Sequence, residues 1–271
     1  MVVFMLSHIN HRVLSIKRLR TVMTKVAEHP AGFAILNGWS RPRGVFDTFE
    51  AARQACRKAR TIAQPDAADL VEPNFELSVR RRASDYPVLF WLCQIASTGS
   101  LRVLDFGGGA GQSYYQYRDL LPAGAIERWT VLELPTVVEQ GKRKAAERGA
   151  NNLVFTSSFR EGAACNVLLA AGSLHYWEGS LSSFAAEVGG LPKHVIVNRS
   201  PMRATGDAFI TVQTGAHWAV PCLVRSLDQL TQEMEALGFD RVDDWNEPEK
   251  TLHFPWLPDH EARYLGVYFR R

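Results

Sequence analysis

The sequence predicts an α/β fold built on a mostly parallel sheet, and three observations carry that prediction. From Leu101 onward, short apolar runs alternate with helical stretches, the pattern of successive βαβ units. One apolar run, residues 102–106, leads straight into Gly107-Gly108-Gly109-Ala110-Gly111 and then a helix. The next run, residues 129–132, ends in the acid Glu133.

The elements follow in order. Residues 7–28 have a loose helical pattern, and 37–47, with Gly38, Pro42 and Gly44, read as a loop. Residues 48–60 read as a helix capped by Thr48, and 75–95 as a helix interrupted at Pro87. Strands are expected at 102–106, 129–132, 153–155, 167–170 and 194–198, with helices at 111–121, 136–148 and 180–188 between them. A helix at 227–237 precedes strands at 241–245 and 264–269, and 209–213 forms an extra strand or the rim of a site. The division is an N-terminal helical region, 1–98, serving as lid or homodimer contact, and a sheet domain, 99–271.

Bulk properties fit that picture. The 271 residues are 46% hydrophobic and 22% charged, enough to bury a full core without disulfides or a metal. The net charge of +3 is too mild for a nucleic-acid partner. Arg12, Lys17, Arg18, Arg20 and Lys25 precede the first acid, Glu28, and read as a solvated helix face or a contact to an anionic surface. Cys56, Cys93, Cys165 and Cys222 are scattered without a C-x-x-C pair, which suits a reducing, cytoplasmic setting and argues against a metal site. The apolar stretch 1–6 is too short to span a membrane, so neither a signal peptide nor stable membrane insertion is expected.

The glycine spacing discriminates between ligands. Gly107, Gly109 and Gly111 form G-x-G-x-G, and Asp105 stands two residues before the first glycine. The dinucleotide fingerprint G-x-G-x-x-G would need glycine where Gln112 or Tyr114 stands. No G-x-x-x-x-G-K-[ST] loop is present. Glycines let the backbone approach a ligand closely, and the following helix start adds oriented N–H groups. A carboxylate at Glu133 can accept two ribose hydroxyls, or it can serve as a plain helix-capping acid.

The resulting D-x-G-x-G-x-G resembles motif I of class I S-adenosylmethionine-dependent methyltransferases. The segment Glu133-Leu134-Pro135-Thr136-Val137 resembles the acid-Leu-Pro-x-Val run of small-molecule O-methyltransferases, and Leu174-His175-Tyr176-Trp177 their Leu-His-Asp-Trp segment. The chain as a whole, with its Trp39 region, Tyr86-Pro87 helix and closing Leu265–Arg270 run, resembles a bacterial methyltransferase family, some of whose members accompany surface-polysaccharide genes.

The resemblance implies a Rossmann-like, seven-stranded, mostly parallel sheet and S-adenosyl-L-methionine as cofactor. It implies that Asp105, Gly107, Gly108, Gly109 and Gly111 hold the methionine part and Glu133 the ribose, with Leu134, Ser158, Phe159 and Ala171 near the adenosine. Ser158 stands where the family carries an acid for the adenine amino group, while Phe159 can still cover the ring or pack as core. His175 is the implied catalytic base, with packing as the plainer role. Tyr176, Trp177 and Arg199 are candidates for an acceptor site, Arg199 equally for a surface salt bridge. The implied acceptor is a hydroxyl of a small molecule or glycan. Two other readings stay open: a noncatalytic adenosyl-cofactor-binding scaffold, and a nicotinamide-dependent oxidoreductase, the latter opposed by Gln112 and the lack of a Tyr-x-x-x-Lys pair.

Overall fold

A computed structural model of the chain describes residues 43–58, 80–162, 164–214, 219–251 and 262–271. The predicted helix at 7–28, the basic cluster within it and the first part of the predicted helix at 75–95 lie outside these residues.

The expected strands form as β2 (Leu101–Phe106), β3 (Ile126–Leu132), β4 (Leu153–Thr156), β5 (Val167–Ala171), β6 (His194–Arg203), β9 (Asp240–Thr251) and β10 (Arg263–Arg270). Their order across the sheet is β4-β3-β2-β5-β6-β10-β9. Strands β2 through β6 run parallel, and β10 is antiparallel to both β6 and β9. This is the predicted seven-stranded Rossmann-like sheet, with the chain's last strand inserted before the sixth.

Three further strands extend it to ten. They are β1 (Arg43–Phe46), β7 (Phe209–Thr214) and β8 (Ala219–Ser226). β7 pairs antiparallel with β1 and β8, and β8 joins the end of β6 at Met202 and Arg203. Residues 43–46 are a strand rather than a loop, with Gly44 adopting a φ of 72° there. β8 is absent from the sequence reading because Pro221 cannot donate to a ladder. It is tolerated because β8 meets β6 only beyond it, at Arg225 and Ser226.

Helices cover both faces. α1 (Phe49–Lys58) lies on β7 and β8. α2 (Asp85–Ala96), α3 (Gln112–Tyr117) and α4 (Pro135–Glu147) bury Val88, Leu92, Tyr117, Val138 and Ala145 against Val103, Trp129, Val131 and Leu169. α5 (Leu181–Val188) and α6 (Leu227–Ala236) bury Leu181, Phe184, Leu230 and Met234 against Leu104, Leu132, Leu168 and Val195. Neighbouring strand residues thus serve opposite cores, which is why the buried parts of these strands read as apolar on both faces. Pro87 does not interrupt α2. It is the third helical residue, where its missing N–H falls among donors that lack an intrahelical partner anyway. No helix among the described residues is long and apolar enough to cross a membrane.

Gly141 marks the closest approach of helix and sheet: a side chain there would overlap the Phe155 ring of β4. Gly141→Val should therefore lower stability by about 1–3 kcal/mol. Denaturant titration should show a lower midpoint with an unchanged slope.

Candidate functional site

The sheet's strand order reverses between β2 and β5, and in open α/β sheets the crevice outside the carboxyl ends at that point holds ligands. The glycine loop follows β2 and the segment 172–178 follows β5, so both converge there. Gly107 lies so close to Ser173 that a Cβ would overlap it, and Ser173 Oγ donates to the Phe106 carbonyl. The switch-point crevice is thus walled by the two predicted segments in direct contact.

Asp105 anchors the loop from below. It is fully buried, its Oδ2 accepts from Trp129 Nε1 at 3.0 Å, and its Oδ1 has no hydrogen-bond partner among the described residues. Burial pushes its carboxyl up to about 7, against the indole hydrogen bond and the Arg199 charge. A Cβ on Gly108 would sit 2.5 Å from this carboxylate. Gly107, Gly109 and Gly111 have φ of 65°, 58° and 90°, a region that other residues enter at a cost.

Glu133, at the end of β3, faces the loop across the crevice. Its Oε1 accepts from Gly109 N at 3.1 Å and its Oε2 from Leu134 N at 2.8 Å. Burial raises its pKa, and the two backbone donors, Leu134 first, oppose the shift. Leu134 is the exposed residue that opens α4. Ser158 is exposed, its N–H on Thr156 Oγ1. Phe159 packs with Phe106, Trp177 and Phe184, ring centroids 5.7–6.3 Å apart. Phe159, a candidate to cover the adenine, and Trp177, a candidate for the acceptor site, therefore share one aromatic cluster.

The β5 exit segment is a short 3₁₀ turn, Leu174–Tyr176. His175 within it is buried, its ring 4.1 Å from that of Tyr176. Tyr176 Oη donates to Gln213 of β7 at 2.7 Å, and Gln213 Nε2 donates to Tyr264 Oη at 3.2 Å. Ala171, at the end of β5, is registered against Asn198. Arg199 has a φ of 51°, and its Nη1 donates to Asp85 Oδ1 in a largely buried ion pair. Arg199 thus forms a salt bridge, but a largely buried one rather than the surface pair expected.

Sequence reasoning missed Asp85. Its carboxylate, at the start of α2, also receives Arg82 N (2.8 Å), Tyr117 Oη (2.9 Å) and Asn198 Nδ2 (3.3 Å). Asn198 Oδ1 in turn accepts from Trp245 Nε1 at 2.9 Å. A buried acid with four donors from three segments is a structural joint. Its only local signal was an acid in a helix's first turn.

No family model matches the chain, and no curated protein matches it. Among solved structures, it is similar to the 1,6-didemethyltoxoflavin N1-methyltransferase of Burkholderia thailandensis, at 18% identity and a TM-score of 0.48, over 70% of this chain and 79% of that one. Magnesium protoporphyrin IX methyltransferase from Synechocystis aligns at 13% identity and a TM-score of 0.47, over 79% of this chain and 89% of that one. The CcbJ methyltransferase from Streptomyces caelestis aligns at 14% identity and a TM-score of 0.46, over 75% and 95% respectively.

The raised carboxyl of Asp105 has a measurable sign. The folded state holds that proton from the ordinary 3.8 up to about 7, while the unfolded chain loses it near the ordinary value. Stability should be fully present below the ordinary value and fall as pH rises through that window, Glu133 acting in the same direction. Asp105→Asn should flatten the decline. Denaturation midpoints of the ligand-free protein across that range provide the check.

Proposed function

We propose that this chain is an S-adenosylmethionine-dependent methyltransferase acting on a hydroxyl of a small molecule or glycan. One observation carries the reading: a D-x-G-x-G-x-G loop lies at the sheet's switch point, with the acid of the next strand on its central glycine. The buried, unpartnered Asp105 Oδ1 beneath that loop fits a cationic group such as the cofactor's ammonium. The spacing is wrong for a dinucleotide fingerprint, so a nicotinamide cofactor is disfavoured.

On this reading, Asp105, Gly107, Gly108, Gly109 and Gly111 would take the methionine part of S-adenosyl-L-methionine, and Glu133 the ribose. Leu134, Ser158, Phe159 and Ala171 would border the adenosine. When bound, the cofactor supplies an electrophilic methyl group on a sulfonium sulfur. The protein must hold the acceptor oxygen in line and exclude water. His175 would take the acceptor's proton, with Tyr176 and Trp177 lining the approach. Arg199 would act on an acceptor only by leaving Asp85, so its first role is to hold the wall of the site. The N-terminal region 1–98, apart from β1 and α2, which belong to the sheet and its core, would serve as lid or homodimer contact, in a cytoplasmic enzyme.

A second reading, a noncatalytic adenosyl-cofactor-binding protein, is favoured by the burial of His175, which keeps the proposed base from solvent. Two measurements test these readings, the first the adenosyl cofactor that both share and the second the catalysis that divides them. S-adenosylhomocysteine at ~100 times its dissociation constant should stabilise the protein by ~2.7 kcal/mol, and NAD(H) should not. Gly109→Val should stay folded and lose that stabilisation, because valine at a φ of 58° is strained and its side chain meets Gln112. Stabilisation by NAD(H) alone overturns the cofactor assignment.

The second measurement concerns His175→Ala. It should keep S-adenosylhomocysteine affinity while methylation of an acceptor falls about 100- to 10,000-fold. An unchanged rate returns His175 to a packing role.

A further inference from the structure

Next to the β5 exit segment lies a cavity of about 230 Å³, between the starts of α5 and α6 and the end of β8. Arg225, Glu233, Glu178, Ser180, Ser226 and Gln229 are among its walls. It is smaller than the roughly 300–1,000 Å³ of pockets that enclose whole ligands, and so fits a head group.

Its electrostatics are unusual. Arg225 is only 5% exposed. Its hydrogen bonds within the described residues both leave from Nη2, to the carbonyls of Trp177 (3.4 Å) and Gly179 (2.9 Å). Its Nε has no partner among the described residues. Burial lowers its pKa, and Glu233 opposes that shift, so the two charges sense each other. Yet no ion pair joins them. Glu233 Oε2 instead accepts from Leu181 N at 3.0 Å, at the start of α5. At the rim, Glu178 is already paired with Arg53.

A buried cation and a partly buried anion thus line one small cavity without neutralising each other, where buried charges ordinarily pair. A phosphate or simple carboxylate entering it meets Arg225 but is repelled by Glu233. A simple amine meets the converse. A molecule carrying both charges satisfies both walls and leaves the cavity neutral.

We infer that this cavity binds a zwitterionic head group of the amino-acid type, its carboxylate on Arg225 and its ammonium on Glu233. The carbonyls that Arg225 holds belong to Trp177 and Gly179, just after His175, so the head group would tether an acceptor beside the transfer site. That last step rests on the methyltransferase reading; the binding itself does not.

The test is calorimetric titration of the whole chain with three matched probes, L-alanine, L-lactate and L-alaninamide. L-alanine should bind, and each single-charge analogue should bind at least about tenfold more weakly. Glu233→Gln keeps an oxygen for Leu181 N but removes the charge. It should weaken L-alanine about tenfold and bring L-lactate to parity with it. Arg225→Lys should weaken both carboxylates, since a point charge replaces a planar fork. If that variant fails to fold, Glu233→Gln still decides. Equal affinity for alanine and lactate in the wild type, no binding of alanine, or alanine binding untouched by Glu233→Gln overturns the inference. S-adenosylhomocysteine carries an amino-acid head group of its own, so its titration into Glu233→Gln protein, compared with wild type, separates the two ideas. Alanine binding without S-adenosylhomocysteine binding that survives Glu233→Gln sustains the cavity and removes the methyltransferase reading, and the reverse outcome does the opposite.

Discussion

A carboxylate buried beneath a backbone loop constrains much of this structure. Asp105 has no access to water, so its charge costs free energy that the surrounding protein must offset. One offset is the Trp129 indole, which must then sit on the neighbouring strand at this level. Another is the field of Arg199, which depends on Asp85 to hold it in place. A third consequence is steric, because a side chain on Gly108 would strike the carboxylate. The loop is therefore short of side chains partly for reasons below it, in the protein, as well as above it, where a ligand would lie.

The Asp85 joint extends this logic outward. Its four donors come from the turn before α2, from α3 and from β6, and Asn198 passes the connection to Trp245 on β9. Trp245 in turn covers Gly266 of β10, where a Cβ would overlap the indole. One buried acid thus couples the helix that precedes the sheet to the strand pair that closes it. Half-satisfied networks of this kind are costly, so each member restricts its partners' identities.

The elements legible in the sequence were those whose signal is local. β5 is a continuous apolar run, and β2 and β3 carry shorter buried ones, because both faces are covered, and the glycine loop announces itself by spacing. Glu133 was legible as a strand-end acid, though not its hold on Gly109. What escaped was non-local or atypical. Pro221 disguised β8, and Gly44 disguised β1. Asp85 looked like any first-turn acid, and Arg225 lay in an unrecognised strand. Pro87 misled in the other direction, since a proline in a first turn starts a helix rather than interrupting it.

This asymmetry follows the architecture. The proposed cofactor side is made by consecutive residues at the switch point, where strand, turn and helix fix one another over a short span. The proposed acceptor side is made by chance neighbours in sequence terms. Tyr176 finds Gln213 on β7, and the segment after His175 hangs on Arg225 of β8. Both partners come from the strand pair inserted between β6 and α6, which the seven-stranded sheet does not need for its own closure. Changes in that pair can therefore reshape what enters beside His175 while leaving Asp105, its glycine loop and Glu133 untouched. On the proposed reading, cofactor binding and acceptor choice would be carried by separable parts of one fold.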